Sequence, residues 1–175
     1  AATGDGIDTW ENTLGDDAAY SVTEQSDGKL LVAGSAHNGT DTDFLLWRYN
    51  ADGTVDTSFG GGDGYVTEDF GGSDSVKSVV VQTDGKIVVA GLGNGEFAAV
   101  RYNSDGSLDT GFGTGGKATH DPFSDTNSVQ GMVIQNDGKI LLSGYADSAP
   151  GGRDWALVRF NTDGSLDTDF GTGGV

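Results

Sequence analysis

Asp52-Gly53-Thr54-Val55-Asp56-Thr57 returns as Asp105-Gly106-Ser107-Leu108-Asp109-Thr110 and again as Asp163-Gly164-Ser165-Leu166-Asp167-Thr168. A second marker keeps step with it: Asp27-Gly28-Lys29, Asp84-Gly85-Lys86 and Asp137-Gly138-Lys139. The first recurs after 53 and then 58 residues, the second after 57 and then 53. A period of this length is one supersecondary unit. It cannot bury a core alone, so copies must stack on their neighbours. The chain of 175 residues therefore reads as one repeat array, with units at 1–60, 61–113 and 114–171 and the start of a fourth at 172–175.

Each unit reads as four short strands. In the second they are Tyr65 to Asp69, Val76 to Gln82, Lys86 to Ala90 and Phe97 to Tyr102, with Asp84-Gly85 as a tight reversal. β-branched and aromatic residues favour strand, and glycine punctuates too often for helix. Lys29 to Gly34 and Lys139 to Gly144 match the third strand; Phe44 to Tyr49 and Trp155 to Phe160 match the fourth. These runs are almost continuously apolar, as in strands covered on both faces. The expected fold is all-β: a propeller-type array of three blades, each of four antiparallel strands.

Bulk composition narrows the function. The net charge is −18, which repels nucleic-acid phosphates and anionic lipid surfaces. Solubility, cation binding and adaptation to high salt would each account for that charge. There is no cysteine, so disulfides, thiolate metal sites and cysteine catalysis are excluded. No apolar run is long enough for a membrane-spanning helix. Ala1-Ala2-Thr3-Gly4-Asp5 shows no signal peptide, which suits a processed form or an excised piece.

All the length variation between units falls in Ser35 to Asp43, Leu92 to Glu96 and Tyr145 to Asp154. Insertions in repeat arrays gather on one face, often the binding face, although loops also drift in length without function. The candidate ligand-loop residues are His37, Asp41, Asp43, Glu96, Asp147 and Asp154. Asp43, Glu96 and Asp154 each precede an aromatic at the head of a fourth strand. They could form a ring of carboxylates or simply repeat a turn.

The candidate metal ligands are Asn50, Asp52 and Asp56, with Asn103, Asp105 and Asp109 and Asn161, Asp163 and Asp167 as repeats. Their spacing resembles the calcium loop D-x-D-x-D-G-x-x-D, where alternating oxygens converge on one ion. Arg48, Arg101 and Arg159 stand at the first ligand position, however. A guanidinium there could bridge the aspartates itself, leaving a metal-free Asx-type turn. Trp10, Trp47 and Trp155 are candidate sugar platforms; core packing is the default for the last two. His37 and His120 have no repeated partner, and no nucleophile elbow, phosphate loop or zinc spacing occurs. Asn38-Gly39-Thr40 matches a glycosylation sequon.

The succession of DGK, apolar strand, Arg-[Tyr/Phe]-Asn, DG[ST]xDT and Phe-Gly resembles the bacterial delta-60 repeat family over nearly the whole chain. Arg48-Tyr49-Asn50, Arg101-Tyr102-Asn103 and Arg159-Phe160-Asn161 carry it, with Phe59-Gly60, Phe112-Gly113 and Phe170-Gly171. The resemblance implies a β-propeller repeat, found in large secreted or surface-anchored bacterial proteins, with no general catalytic activity.

Propellers have four to eight blades, and three repeats fall short of a ring. The expectations are self-association into a two-chain ring or a filament, or further repeats of the same chain. The leading functional expectation is a non-enzymatic structural or adhesive module at the bacterial surface. The alternative is a propeller binding carbohydrate or calcium through the variable loops. An enzyme fragment is the third.

Overall fold

The computed structural model describes residues 15–122, 126–148 and 152–174. Three antiparallel sheets are present, and α-helix is absent among the described residues. The first sheet holds β1 (Ala18–Glu24), β2 (Leu30–His37), β3 (Thr42–Tyr49) and β4 (Tyr65–Glu68) in that order. The second repeats the order with β5 (Ser75–Val81), β6 (Ile87–Gly93), β7 (Glu96–Tyr102) and β8 (Lys117–His120). The third holds β9 (Asn127–Ile134), β10 (Ile140–Ser148) and β11 (Gly152–Phe160). The all-β array of partial propeller form thus stands, with three strands rather than four in the last sheet.

The DGK marker closes the first hairpin of every sheet. Gly28, Gly85 and Gly138 take φ of 83°, 84° and 82°, a left-handed conformation that costs glycine nothing. The preceding aspartate accepts the lysine backbone N–H in each case, at 3.1, 3.1 and 3.2 Å. One turn chemistry therefore fixes three registers.

Sheets and repeats are out of step by one strand. Tyr65–Glu68 opens the second repeat in sequence, but it pairs with Phe44 to Trp47 of the first sheet. Lys117–His120 likewise pairs with Phe97 to Val100. The expectation that Tyr65 to Asp69 begins the second blade is corrected. The apolar edge of β3 is completed by the next strand along the chain, and the crossing to a new sheet comes after it. The variable loops are also shorter than expected, because strands run into them. β6 reaches Gly93, and only Asn94 and Gly95, both at positive φ, turn the chain into β7.

The sheets pack face to face, with most of the core in the two seams and a smaller buried cluster of Ala36, Leu45 and Trp47 on the first sheet. Leu31, Phe44, Leu46 and Phe59 of the first sheet meet Val76, Val79, Val89 and Tyr102 of the second. Val88, Phe97 and Phe112 of the second meet Val129, Ile140, Val158 and Phe160 of the third. β3 and β7 are buried along almost their whole length, as strands flanked on both sides must be.

Candidate functional site

The DGxxDT marker folds into a three-residue clasp. Asp56 Oδ2 accepts from Lys29 Nζ and from Arg48 Nε, both at 2.7 Å. Asp109 holds Lys86 and Arg101 at 2.6 and 2.7 Å, and Asp167 holds Lys139 and Arg159 at 2.7 Å each. Each clasp ties the DGK hairpin, the third strand of the sheet and the following loop together. Burial opposes ionisation of Asp56, but the Lys29 ammonium, the Ser58 hydroxyl and the Arg48 guanidinium outweigh it and hold the carboxyl well below the usual range. Lys86 and Lys139 do the same for Asp109 and Asp167.

This arrangement places every candidate calcium ligand. Asp52, Asp105 and Asp163 accept from the hydroxyl and backbone N–H of Thr54, Ser107 and Ser165. Asn50, Asn103 and Asn161 donate to those same hydroxyls at 3.0 Å. The second carboxylate of each loop, Asp56, Asp109 or Asp167, lies in the clasp, where lysine and arginine already supply the positive charge a metal would bring.

The arginines also reach across the seams. Arg48 Nη1 donates to Ser104 O, and Arg101 Nη1 donates to Thr162 O at 2.6 Å. The guanidinium carbons lie 4.5 Å from the ring centres of Phe59 and Phe112. Beside them, Gly60 N–H donates to Asp105 O at 3.0 Å and Gly113 N–H to Asp163 O at 2.7 Å. A Cβ on Gly106 or Gly164 would strike the Phe59 or Phe112 ring of the preceding sheet at 2.9 Å. Arginine, phenylalanine and glycine together form one seam lock, made twice.

The variable hairpins carry a different chemistry. Asp43, Asp69 and Asp74 bring carboxylate oxygens within 4.8 Å of one another at the first seam. Asp74 is 1% exposed and accepts Phe70 N–H and Asn94 N–H, both at 2.8 Å. Asp43 Oδ2 accepts from Asn38, while its buried Oδ1 has no hydrogen-bond partner. Burial raises the pKa of both groups, and mutual repulsion with Asp69 adds to it.

The remaining candidates do not converge on one site. Asp41 accepts from Asn38, and His37 Nδ1 accepts from Gly39 N–H. Glu96 and Asp154 lie in the second and third sheets, and Asp147 faces Arg153 at 3.4 Å. His120 ends β8, in a different sheet from His37. Trp47 is buried, Trp155 is 78% exposed, and Trp10 lies outside the described residues.

The Asp69–Asp74 trio partners and the seam lock are the parts that sequence reading missed. One signal was available for the lock: each arginine precedes its phenylalanine by 11 residues in all three units.

Stacked antiparallel sheets locked by one repeated motif define a β-propeller repeat protein. The model of the β-propeller domain of unknown function DUF5122 matches residues 25–59, 82–112 and 135–170, and the chain belongs to that family. Each matched segment runs from a DGK turn to the phenylalanine of the lock or its immediate neighbourhood. No curated protein matches the chain.

Proposed function

We propose that the chain is a non-enzymatic structural or adhesive module of a secreted or surface-anchored bacterial protein, the setting its delta-60 resemblance implies. One observation carries this reading. The residues repeated in all three units close hairpins, fill clasps and lock seams, and the third lock position is held by Arg159 and Phe170 with a guanidinium-to-ring distance of 4.3 Å. What differs between units is the hairpin tips. Replacing residues 37–42 by Asn-Gly, the turn that joins β6 to β7, is expected to change stability by no more than about 1 kcal/mol and to leave assembly intact. Loss of assembly on that replacement would sink the reading.

A second reading, a cation-binding propeller, is favoured by the Asp43, Asp69 and Asp74 trio and the orphan Asp43 oxygen. Hard carboxylate oxygens suit calcium. The expected result is a melting temperature that rises in millimolar calcium for the wild type and not for Asp69→Asn. Identical melts in calcium and in chelator would dismiss it.

A further inference from the structure

The acidic corner of the first seam has a counterpart in the second, and one residue separates the two. Asp43, Asp69 and Asp74 of the first seam are Glu96, Asp121 and Asn127 of the second. In the second seam the Asn127 Nδ2 group lies between acceptors, donating to Asp121 Oδ1 at 3.0 Å and to Gly95 O at 2.9 Å. Its N–H groups turn partial positive charge onto that corner. In the first seam Asp74 stands in the same place, so a third carboxylate replaces the donor.

The three carboxylates bring oxygens within 4.8 Å of one another, and among the described residues no lysine or arginine pairs with any of them. Lys117 is engaged with Glu68 and with the backbone oxygen of Asp69 instead. Asp43 is 9% exposed, and its Oδ1 is buried without a hydrogen-bond partner. Buried charged oxygens in native proteins are paired or ligate a metal. The corner is also held in place. Asp74 N–H donates to Thr42 O at 2.7 Å, and Thr42 Oγ1 donates to Asp74 O at 2.8 Å, which fixes Asp74 beside the start of β3. Phe70 and Asn94 N–H groups each hold one oxygen of its carboxylate. Asp69 is exposed, so one side of the corner is open to solvent.

We infer that a single calcium ion ties the first seam, bound by Asp43, Asp69 and Asp74 in the place where the second seam carries the Asn127 amide. Carboxylates completed by water make the flexible oxygen shell that calcium accepts, whereas magnesium demands near-ideal octahedral geometry and gives up its water reluctantly. Asp43 lies in β3 and Asp69 follows β4, both of the first sheet, while Asp74 leads into β5 of the second. The ion therefore clamps the segment that crosses from one sheet to the next. This inference rests on the cation-binding reading and deepens it: it adds the number of ions, the choice of metal and the residue that decides between a metal-bound seam and a metal-free one.

Calorimetric titration of calcium chloride into the chelator-stripped 175-residue chain, in physiological salt, tests it. The expected result is one calcium per chain, unchanged by excess magnesium chloride and by Asp63→Asn, which alters an exposed carboxylate away from the corner. Asp74→Asn copies the second seam into the first and is expected to weaken binding about 100-fold or more. Asn127→Asp copies the first seam into the second and is expected to bring a second calcium. Circular dichroism checks that the variants fold; Asp69→Asn, at an exposed position, gives the same loss should Asp74→Asn fail to fold. A wild type that binds no calcium overturns the inference and the cation-binding reading together. Binding that survives Asp74→Asn, that magnesium displaces, or that stays at one ion in Asn127→Asp overturns the inference alone and leaves that reading standing.

Discussion

Asp74 and Asn127 occupy the same place in successive seams, and one amide changes the electrostatics there. Asn127 Nδ2 donates to Asp121 Oδ1 and to Gly95 O at 3.0 and 2.9 Å, so that seam satisfies its carboxylate without further charge. Asp74 lacks the amide N–H donors of Asn127 and faces Asp43 and Asp69 instead. Asp43 and Asp74 both have raised pKa values, so the folded state holds their protons more tightly than the unfolded chain does. Their cost is therefore present at neutral pH and disappears as pH falls toward the ordinary carboxyl value of about 4. In chelator, Asp43→Asn is expected to raise the melting temperature at pH 7 by about 3 °C, the shift of ~1 kcal/mol in a chain of this size. The gain should shrink towards zero near pH 4; a gain that is the same at both pH values would refute the electrostatic account. The clasps have the opposite sign. Asp56 and Asp109 are depressed, so their stabilisation is complete above the unfolded value and lost as pH falls through the folded one. Sequence alone gave the clasp aspartates as ligand candidates because spacing reports which oxygens are near each other. It does not report that Lys29 and Lys86, more than 20 residues upstream, reach the same oxygens.

At the level of strands, each first hairpin carries a bulge opposite a glycine. Register shifts occur between Ala19 and Ser21, between Val76 and Ser78, and between Val129 and Gly131, the last opposite Ser143 and Gly144 of β10. Gly34, Gly91 and Gly144 sit at these points, and a Cβ would come within 2.1, 2.0 and 1.9 Å of a backbone carbonyl oxygen on the neighbouring strand. These glycines serve close backbone approach, since none of the three has positive φ. Gly91→Ala is expected to destabilise the protein by at least ~2 kcal/mol in urea unfolding. Gly131→Ala gives the contrast: its Cβ would meet only Ser143 Oγ at 3.5 Å, and the loss of unfolded-chain freedom should stabilise by about 0.5 kcal/mol. Equal effects at the two sites would mean that backbone crowding is not the cause. Strands and hairpins were legible because DGK turns and apolar runs act locally. The sheet to which Tyr65–Glu68 belongs was not, since a short strand carries no mark of its partner, and sequence order suggested the wrong neighbour.

For the whole molecule, the charge and the core pull in opposite directions. A net charge of −18 on 175 residues makes the compact chain repel itself. The apolar seams and the guanidinium-to-ring contacts within them hold the sheets together against that repulsion. Salt screens the repulsion over about 8 Å at physiological ionic strength and shortens that reach further as it rises. It barely touches burial of apolar surface. The carboxylates of the clasps are buried or nearly so, and salt weakens such pairs less than exposed ones. Raising sodium chloride is therefore expected to raise the melting temperature. Thermal unfolding of the 175-residue chain across a salt series measures the sign directly. A melting temperature that rises with salt fits an apolar core holding against like charge. One that falls would mean that the clasps contribute more than the self-repulsion costs, and would make ion pairs rather than apolar seams the main support of the array.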